Sequence, residues 1–246
     1  MNKLPQITLI FWIMKISATT LGETGGDLLS MTLNVGYAVS SMILIGVFLV
    51  TLVTQLATKR YHPLLYWTVI LSTSTAGTTM SDFMDRTLKL GYPTGAAILF
   101  AILLTIFAFW HFTKASFSVV NIRSVKVETM YWTAILFSNT LGTALGDFLA
   151  DSSGLGFAGG AMLIGGLIVL VTLANYFTSI SKTLLFWIAF VLTRPFGATM
   201  GDVLTKSPKL GGLGFGTIGS SLVLVTILLI FVVYTMKRQY RTVAAD

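Results

Sequence analysis

Long uncharged runs divide this chain. Reading between charged residues gives apolar stretches over 28–58, 61–81, 90–113, 129–146, 152–181 and 210–236. Two further stretches are interrupted only from within, residues 5–26 by Lys15 and Glu23 and residues 183–201 by Arg194. Crossing ~30 Å of hydrocarbon takes ~20 helical residues. The pattern therefore predicts eight transmembrane helices, over about 5–26, 36–58, 63–82, 93–114, 129–147, 157–179, 183–202 and 213–236. The expected fold class is an all-α integral membrane protein. Lys15 and Glu23 inside the first stretch argue against a cleavable signal peptide.

Every second predicted helix is a copy of one pattern. The copies read FWIMKISATTLGETGGD (11–27), YWTVILSTSTAGTTMSD (66–82), YWTAILFSNTLGTALGD (131–147) and FWIAFVLTRPFGATMGD (186–202). Each has a Trp near its start (Trp12, Trp67, Trp132, Trp187), a Gly ten residues later (Gly22, Gly77, Gly142, Gly197) and an Asp fifteen later (Asp27, Asp82, Asp147, Asp202). The copies begin 55, 65 and 55 residues apart, so the first and third, and the second and fourth, are separated by 120. Such self-similarity predicts a duplicated pair of four-helix halves, 1–120 (repeats 11–58 and 66–114) and 121–246 (repeats 131–179 and 186–236). With two helices per repeat, the four copies enter the membrane in one direction, as parallel helical-hairpin repeats. The Trp residues read as anchors at one interface. At ~1.5 Å per residue each Asp lies ~22 Å further along, which predicts carboxylates in a vestibule open to the far side.

Composition agrees with a bilayer setting: 54% of residues are hydrophobic and 10% charged, against about 25% charged in soluble domains. There is no cysteine, which excludes disulfides, thiolate zinc sites and iron–sulfur chemistry. The two histidines, His62 and His111, stand beside segment ends and suggest no imidazole site. The net charge of +7 is scattered over short connectors and gives no face for nucleic acid. One side carries Lys3, Lys59, Arg60, Lys114, Arg123, Lys126, Lys182, Lys237, Arg238 and Arg241, and the other only Arg86, Lys89, Lys206 and Lys209. The positive-inside rule then predicts both termini in the cytoplasm.

Stepping back from each Asp by four and eight residues stays on one helical face. It gives Glu23 and Thr19, Thr78 and Ser74, Thr143 and Asn139, and Ala198 and Arg194. Seven of the eight are polar in otherwise apolar helices, the expected lining of a water-accessible passage. Carboxylate, hydroxyl and amide oxygens suit a hard divalent cation such as Mg²⁺, Mn²⁺ or Ca²⁺. Clustered carboxylates repel until a cation or protons arrive, so the two should compete. The expected metal ligands are Asp27, Asp82, Asp147, Asp202 and Glu23, with Thr19, Ser74, Thr78, Asn139, Thr143, Arg194 and Lys15 lining the route. Arg194 and Glu23, one turn apart in depth, should form an ion pair.

Simpler readings stand beside these. The aspartates could cap turns at the interface, the Gly22 set could serve close helix packing, and Lys15 could snorkel toward the Trp end. Asp85 and Asp151 add acids outside the repeated position. The leading functional expectation is a transporter of a cation, a divalent metal such as Mn²⁺ exchanged with protons, with no resident cofactor. A proton-coupled carrier of a small organic anion, using Arg194 and Lys15, is the alternative, with a non-transporting assembly or sensor protein behind it. No His-Glu-x-x-His or Gly-x-Ser-x-Gly motif points to an enzyme. The expected partners are the lipid bilayer and an inorganic cation, and a homodimer stays open.

The segments KISATTLGETGGD, LFSNTLGTALGD and LTRPFGATMGD resemble a family of uncharacterised bacterial multi-pass inner-membrane proteins with four repeated Gly-Asp helices. The resemblance covers nearly the whole chain and implies an inner-membrane location. A weaker likeness is to the Gdt1-like cation exchangers, whose duplicated Glu-x-Gly-Asp motif binds Ca²⁺ or Mn²⁺. Here Glu23-Thr24-Gly25-Gly26-Asp27 has one residue more, and the other three copies lack the Glu.

Overall fold

A computed structural model describes residues 4–113 and 124–243, with side chains through Gln239. Lys3, Lys114, Arg123, the boundary at 120 and the side chain of Arg241 lie outside the described residues. The described residues form eight α-helices: α1 (Leu9–Asp27), α2 (Tyr37–Ala57), α3 (Pro63–Asp82), α4 (Tyr92–Phe112), α5 (Val125–Asp147), α6 (Gly156–Phe177), α7 (Lys182–Thr205) and α8 (Gly216–Val243). No strand occurs among the described residues. Helix starts follow local chemistry. Thr8, His62 and Ser124 accept backbone N–H groups at the starts of α1, α3 and α5, and Pro63 opens α3, where its missing N–H is harmless.

The repeated helices α1, α3, α5 and α7 form a closed inner ring, each packed on the next and α7 on α1. Their shared glycines explain the close approach. A Cβ on Gly22 would overlap Ser74, one on Gly77 would crowd Asn139, one on Gly142 would overlap Arg194, and one on Gly197 would overlap Thr19. At every seam the same Gly thus meets the residue eight before the Asp of the next helix. A register repeated four times makes the inner helices parallel and puts their Asp ends together.

The outer helices do not pack chiefly on the inner helix of their own repeat. Each returning helix lies chiefly on the inner helix of the following repeat: α2 on α3, α4 on α5, α6 on α7, and α8 on α1. The connectors carry the chain outward and on. Beyond Asp27, Asp82 and Asp147 a five-residue π-helical turn prolongs the rod (Leu28–Thr32, Phe83–Thr87, Phe148–Ser152). The returning helix then begins at Gly36, Gly91, Gly156 or Gly216, all at positive φ of 68–82°, a conformation that suits a residue without Cβ.

Among the described residues, five helices are long and apolar enough to cross a membrane: α2, α4, α6, α7 and α8 through Gln239. The outer ones turn Leu49, Val50, Phe100, Leu104, Leu170 and Leu222 outward, a surface that needs an apolar surrounding. The inner helices α1, α3 and α5 hold their polar residues inside the ring, so their mean hydropathy falls below that of spans facing lipid.

Candidate functional site: a buried charged tier inside the ring

The ring interior is layered. At the Trp end, the aromatic before each Trp packs on the Trp of the next repeat. Ring centroids are 5.7 Å apart for Phe11–Trp67, 5.5 Å for Tyr66–Trp132, 5.9 Å for Tyr131–Trp187 and 5.7 Å for Phe186–Trp12. Tyr66 and Tyr131 share a hydroxyl–hydroxyl bond of 2.9 Å. Trp67, Trp132 and Trp187 are buried, so this belt closes one end of the bundle instead of anchoring it to the lipid interface.

The next layer holds Lys15, Ile70, Ile135 and Phe190, all buried. Lys15 does not snorkel: it is fully buried, with Nζ 4.1 Å from the Phe190 ring centroid and no hydrogen bond.

Above it Arg194 spans the axis. Its NH1 and NH2 each donate to Glu23 Oε2 at 3.0 Å, and NH2 also reaches Thr143 Oγ1 at 2.6 Å and Thr78 Oγ1. Longer contacts of 3.4 Å go to the carbonyls of Thr19 and Ser74. The expected Arg194–Glu23 pair is therefore present, between neighbours in the ring, and one guanidinium ties α7 to the other three inner helices. Thr19, Ser74, Thr78, Asn139 and Thr143 are all fully buried. Thr19 Oγ1 donates to the Thr193 carbonyl at 3.1 Å and Asn139 Nδ2 to Thr73 Oγ1 at 3.0 Å. This stripe is packed between helices at the close approaches of the glycine rows and is not exposed along an open passage.

The four aspartates converge in the top tier, 2–5% exposed. Each of Glu23, Asp147 and Asp202 offers a carboxylate oxygen within 4.8 Å of the other two. Asp27 and Asp82 share the tier, and a base engages every one of these carboxylates, Arg194 holding Glu23. Arg86 Nε meets Asp82 Oδ1 at 2.8 Å, and its NH2 meets Asp147 Oδ2 at 3.5 Å. Lys206 Nζ meets Asp202 Oδ1 at 3.2 Å and Asp27 Oδ2 at 3.3 Å. Burial opposes the Lys206 charge, but Asp202 and Asp27 outweigh it and hold the ammonium above the ordinary lysine range. The expected open vestibule is thus closed, because these bases fold back one turn over the carboxylates.

A model for one repeated unit matches the chain four times, over residues 10–61, 65–116, 130–181 and 185–240; it is described as Repeat of Unknown Function (DUF347). The chain belongs to this family. Neither a curated protein nor a solved structure matches it. The weaker likeness to the Gdt1-like exchangers finds no support among these comparisons.

Placed on the DUF347 repeat, the site is fourfold in its aspartates and twofold in its bases. Arg86 and Lys206 stand four residues after the Asp of repeats two and four, where repeats one and three have Met31 and Asp151. Sequence reasoning missed them as site residues because basic connectors also report topology. The signal was present in their i+4 spacing and in their separation by the offset of the duplication. Of the extra acids, Asp151 accepts from Tyr92 Oη at 3.1 Å. Asp85 accepts from Ser81 at 3.3 Å beside Gly95 of α4, and burial pushes its carboxyl up to about 6. Neither belongs to the trio of Glu23, Asp147 and Asp202.

Proposed function

We propose that this DUF347 chain is a membrane transporter of a cation, a divalent metal such as Mn²⁺, held by intramembrane carboxylates and exchanged with protons. The observation that carries this reading is the charge balance of the upper tiers. The carboxylates of Glu23, Asp27, Asp82, Asp147 and Asp202 meet the cations Arg86, Arg194 and Lys206, an excess of two negative charges when all are ionised. Two uncompensated charges in a buried site are expensive. One divalent cation, or two protons, removes the excess, and either removes the need for the other. Oxygen-only donors within 4.8 Å of one another at Glu23, Asp147 and Asp202 fit a hard ion.

In this reading all eight helices span a bacterial inner membrane. Residues around Leu4, Tyr61 and Gln239 lie together at the Trp end, which the surplus of Lys and Arg assigns to the cytoplasm. The bilayer and the ion are the partners, and no enzymatic step is assigned. One observation favours the organic-anion alternative: Lys15 Nζ and Arg194 Nε are buried donors without acceptors. Weighing against it, both terminal nitrogens of Arg194 are already bound to Glu23.

Thermal unfolding of the purified chain in Mg²⁺, Ca²⁺, Mn²⁺ and Zn²⁺, and in small carboxylates, separates the readings. A true ligand at one hundred times its Kd stabilises by about 2.7 kcal/mol. The expected result is stabilisation by Mn²⁺ that Asp147→Asn and Asp202→Asn abolish, with Mn²⁺ uptake into proteoliposomes lost in the same variants. Stabilisation by an organic acid alone, removed by Arg194→Ala, would overturn the cation reading, as would no response to any of these ligands.

A further inference from the structure

The ring has four seams, and each brings the aspartates of two successive repeats side by side. Two seams are occupied by the chain itself. Arg86 sits in the α3–α5 seam between Asp82 and Asp147, and Lys206 in the α7–α1 seam between Asp202 and Asp27. In both cases a base four residues after one Asp leans onto the Asp of the next repeat. The α1–α3 and α5–α7 seams have no such base, since the corresponding positions are Met31 and Asp151. The α5–α7 seam is the one at which Glu23 joins Asp147 and Asp202.

The three cations differ in freedom. The Arg194 side chain is 0% exposed and bonded to three other helices, whereas Arg86 is 35% and Lys206 23% exposed at the solvent-facing end of the tier. Arg194 is therefore a fixed part of the packing. Arg86 and Lys206 can swing outward on long, flexible stems without breaking the ring.

The geometry points to Arg86 and Lys206 as tethered occupants of two seats in a four-seat ring, which compete electrostatically with a free cation at Asp147, Asp202 and Glu23 and so set its affinity and its entry side. This inference rests on the cation reading above. Each base shares a carboxylate with the free seat: Arg86 through Asp147, Lys206 through Asp202. Withdrawing either base gives a carboxylate back to the incoming ion, and the ion's charge in turn repels the base outward. Cation entry and opening of the covering bases become one event.

Titrating purified chain with Mn²⁺ tests this, read as the concentration giving half of the maximal thermal shift. Arg86→Gln and Lys206→Gln should each tighten apparent binding by about tenfold, the scale on which one nearby charge acts in a partly buried site. Arg86→Lys, which keeps the charge, should stay near the parent value. Asp151→Arg supplies the missing base to the α5–α7 seam and should weaken binding by at least about tenfold. An Mn²⁺ shift that disappears in Asp147→Asn yet keeps its midpoint in Arg86→Gln, Lys206→Gln and Asp151→Arg overturns the inference and leaves the cation reading standing. Absence of an Mn²⁺ shift in both parent and Lys206→Gln overturns the two together. Should Arg86→Gln fail to accumulate, Lys206→Gln reads its counterpart seat and Asp151→Arg reads the free one.

Discussion

Arg194 shows what a single residue does in this ring. The guanidinium has donors in a fixed plane, and here they divide among Glu23 on α1, Thr78 on α3 and Thr143 on α5. A lysine could place its charge at the same point, but its three donors could not give Glu23 two bonds and still reach both Thr78 and Thr143. Buried ion pairs add little net stability over apolar substitutes, yet removing one partner leaves the other charged and stranded, at about 3–5 kcal/mol. Arg194→Met alone should therefore lower the unfolding midpoint of the detergent-solubilised protein sharply. Adding Glu23→Met should recover most of the loss, because the stranded carboxylate is gone. A double variant as unstable as the single would mean that the other bonds of Arg194, to Thr78 and Thr143, dominate. Sequence alone supported this pair: two charges of opposite sign, unique to the first and fourth copies, fall on corresponding faces one turn apart in depth. The remaining contacts of Arg194 were not legible, since hydroxyl partners on α3 and α5 depend on how tightly the helices close.

At the scale of helices, the glycines decide that closure. Gly22, Gly77, Gly142 and Gly197 face neighbouring backbones or stems, whereas Gly46 in α2 and Gly166 in α6 have nothing within 4 Å of an added Cβ. The same substitution should thus have opposite effects. Gly22→Ala and Gly142→Ala push α3 or Arg194 aside and should destabilise by about 1–3 kcal/mol, the usual range for overpacking. Gly46→Ala and Gly166→Ala meet open space in helix interiors and should be neutral or stabilising by up to about 1 kcal/mol. Midpoints of four single variants decide it, and equal losses at all four sites would contradict the seam geometry. Helix limits were legible to within about four residues except at the end of α8, which runs from Gly216 to Val243, past the expected 236, because charges, Pro63 and the connector glycines punctuate the apolar runs. The pairing of outer helices was not. Helices α2, α4, α6 and α8 are apolar over nearly all their surface, so no stripe marks which inner helix each one covers. The Trp residues show the converse failure. An aromatic at a helix start has the signature of an interfacial anchor, and only closure of the ring turns Phe11–Trp67 and its counterparts into a buried belt.

For the molecule as a whole, the layers define a direction. A closed aromatic belt, a buried Arg194–Glu23 pair and a partly exposed cover of Arg86 and Lys206 follow one another along the axis, so the carboxylate tier is nearer to solvent at the Asp end. The proposed orientation puts the Trp end, with its surplus of basic residues, in the cytoplasm. The natural absence of cysteine makes this directly testable, since any thiol introduced is the only one in the chain. Exposed positions exist at both ends: Thr32 and Ser153 follow the aspartates, and Lys59 lies in the α2–α3 connector. In intact cells a membrane-impermeant maleimide should label Thr32→Cys and Ser153→Cys, and should reach Lys59→Cys only after permeabilisation. The reverse pattern would turn the molecule over and place the covering bases on the cytoplasmic side, changing the direction from which a cation first meets its ligands. Labelling of all three in intact cells would contradict a ring that spans the bilayer with its two ends on opposite faces. Pre-incubation with Mn²⁺ adds a second use for the same variants. If ion entry moves Arg86 and Lys206 outward, the labelling rate at Ser153→Cys, close to the free α5–α7 seam, should change while that at Lys59→Cys beyond the aromatic belt should not.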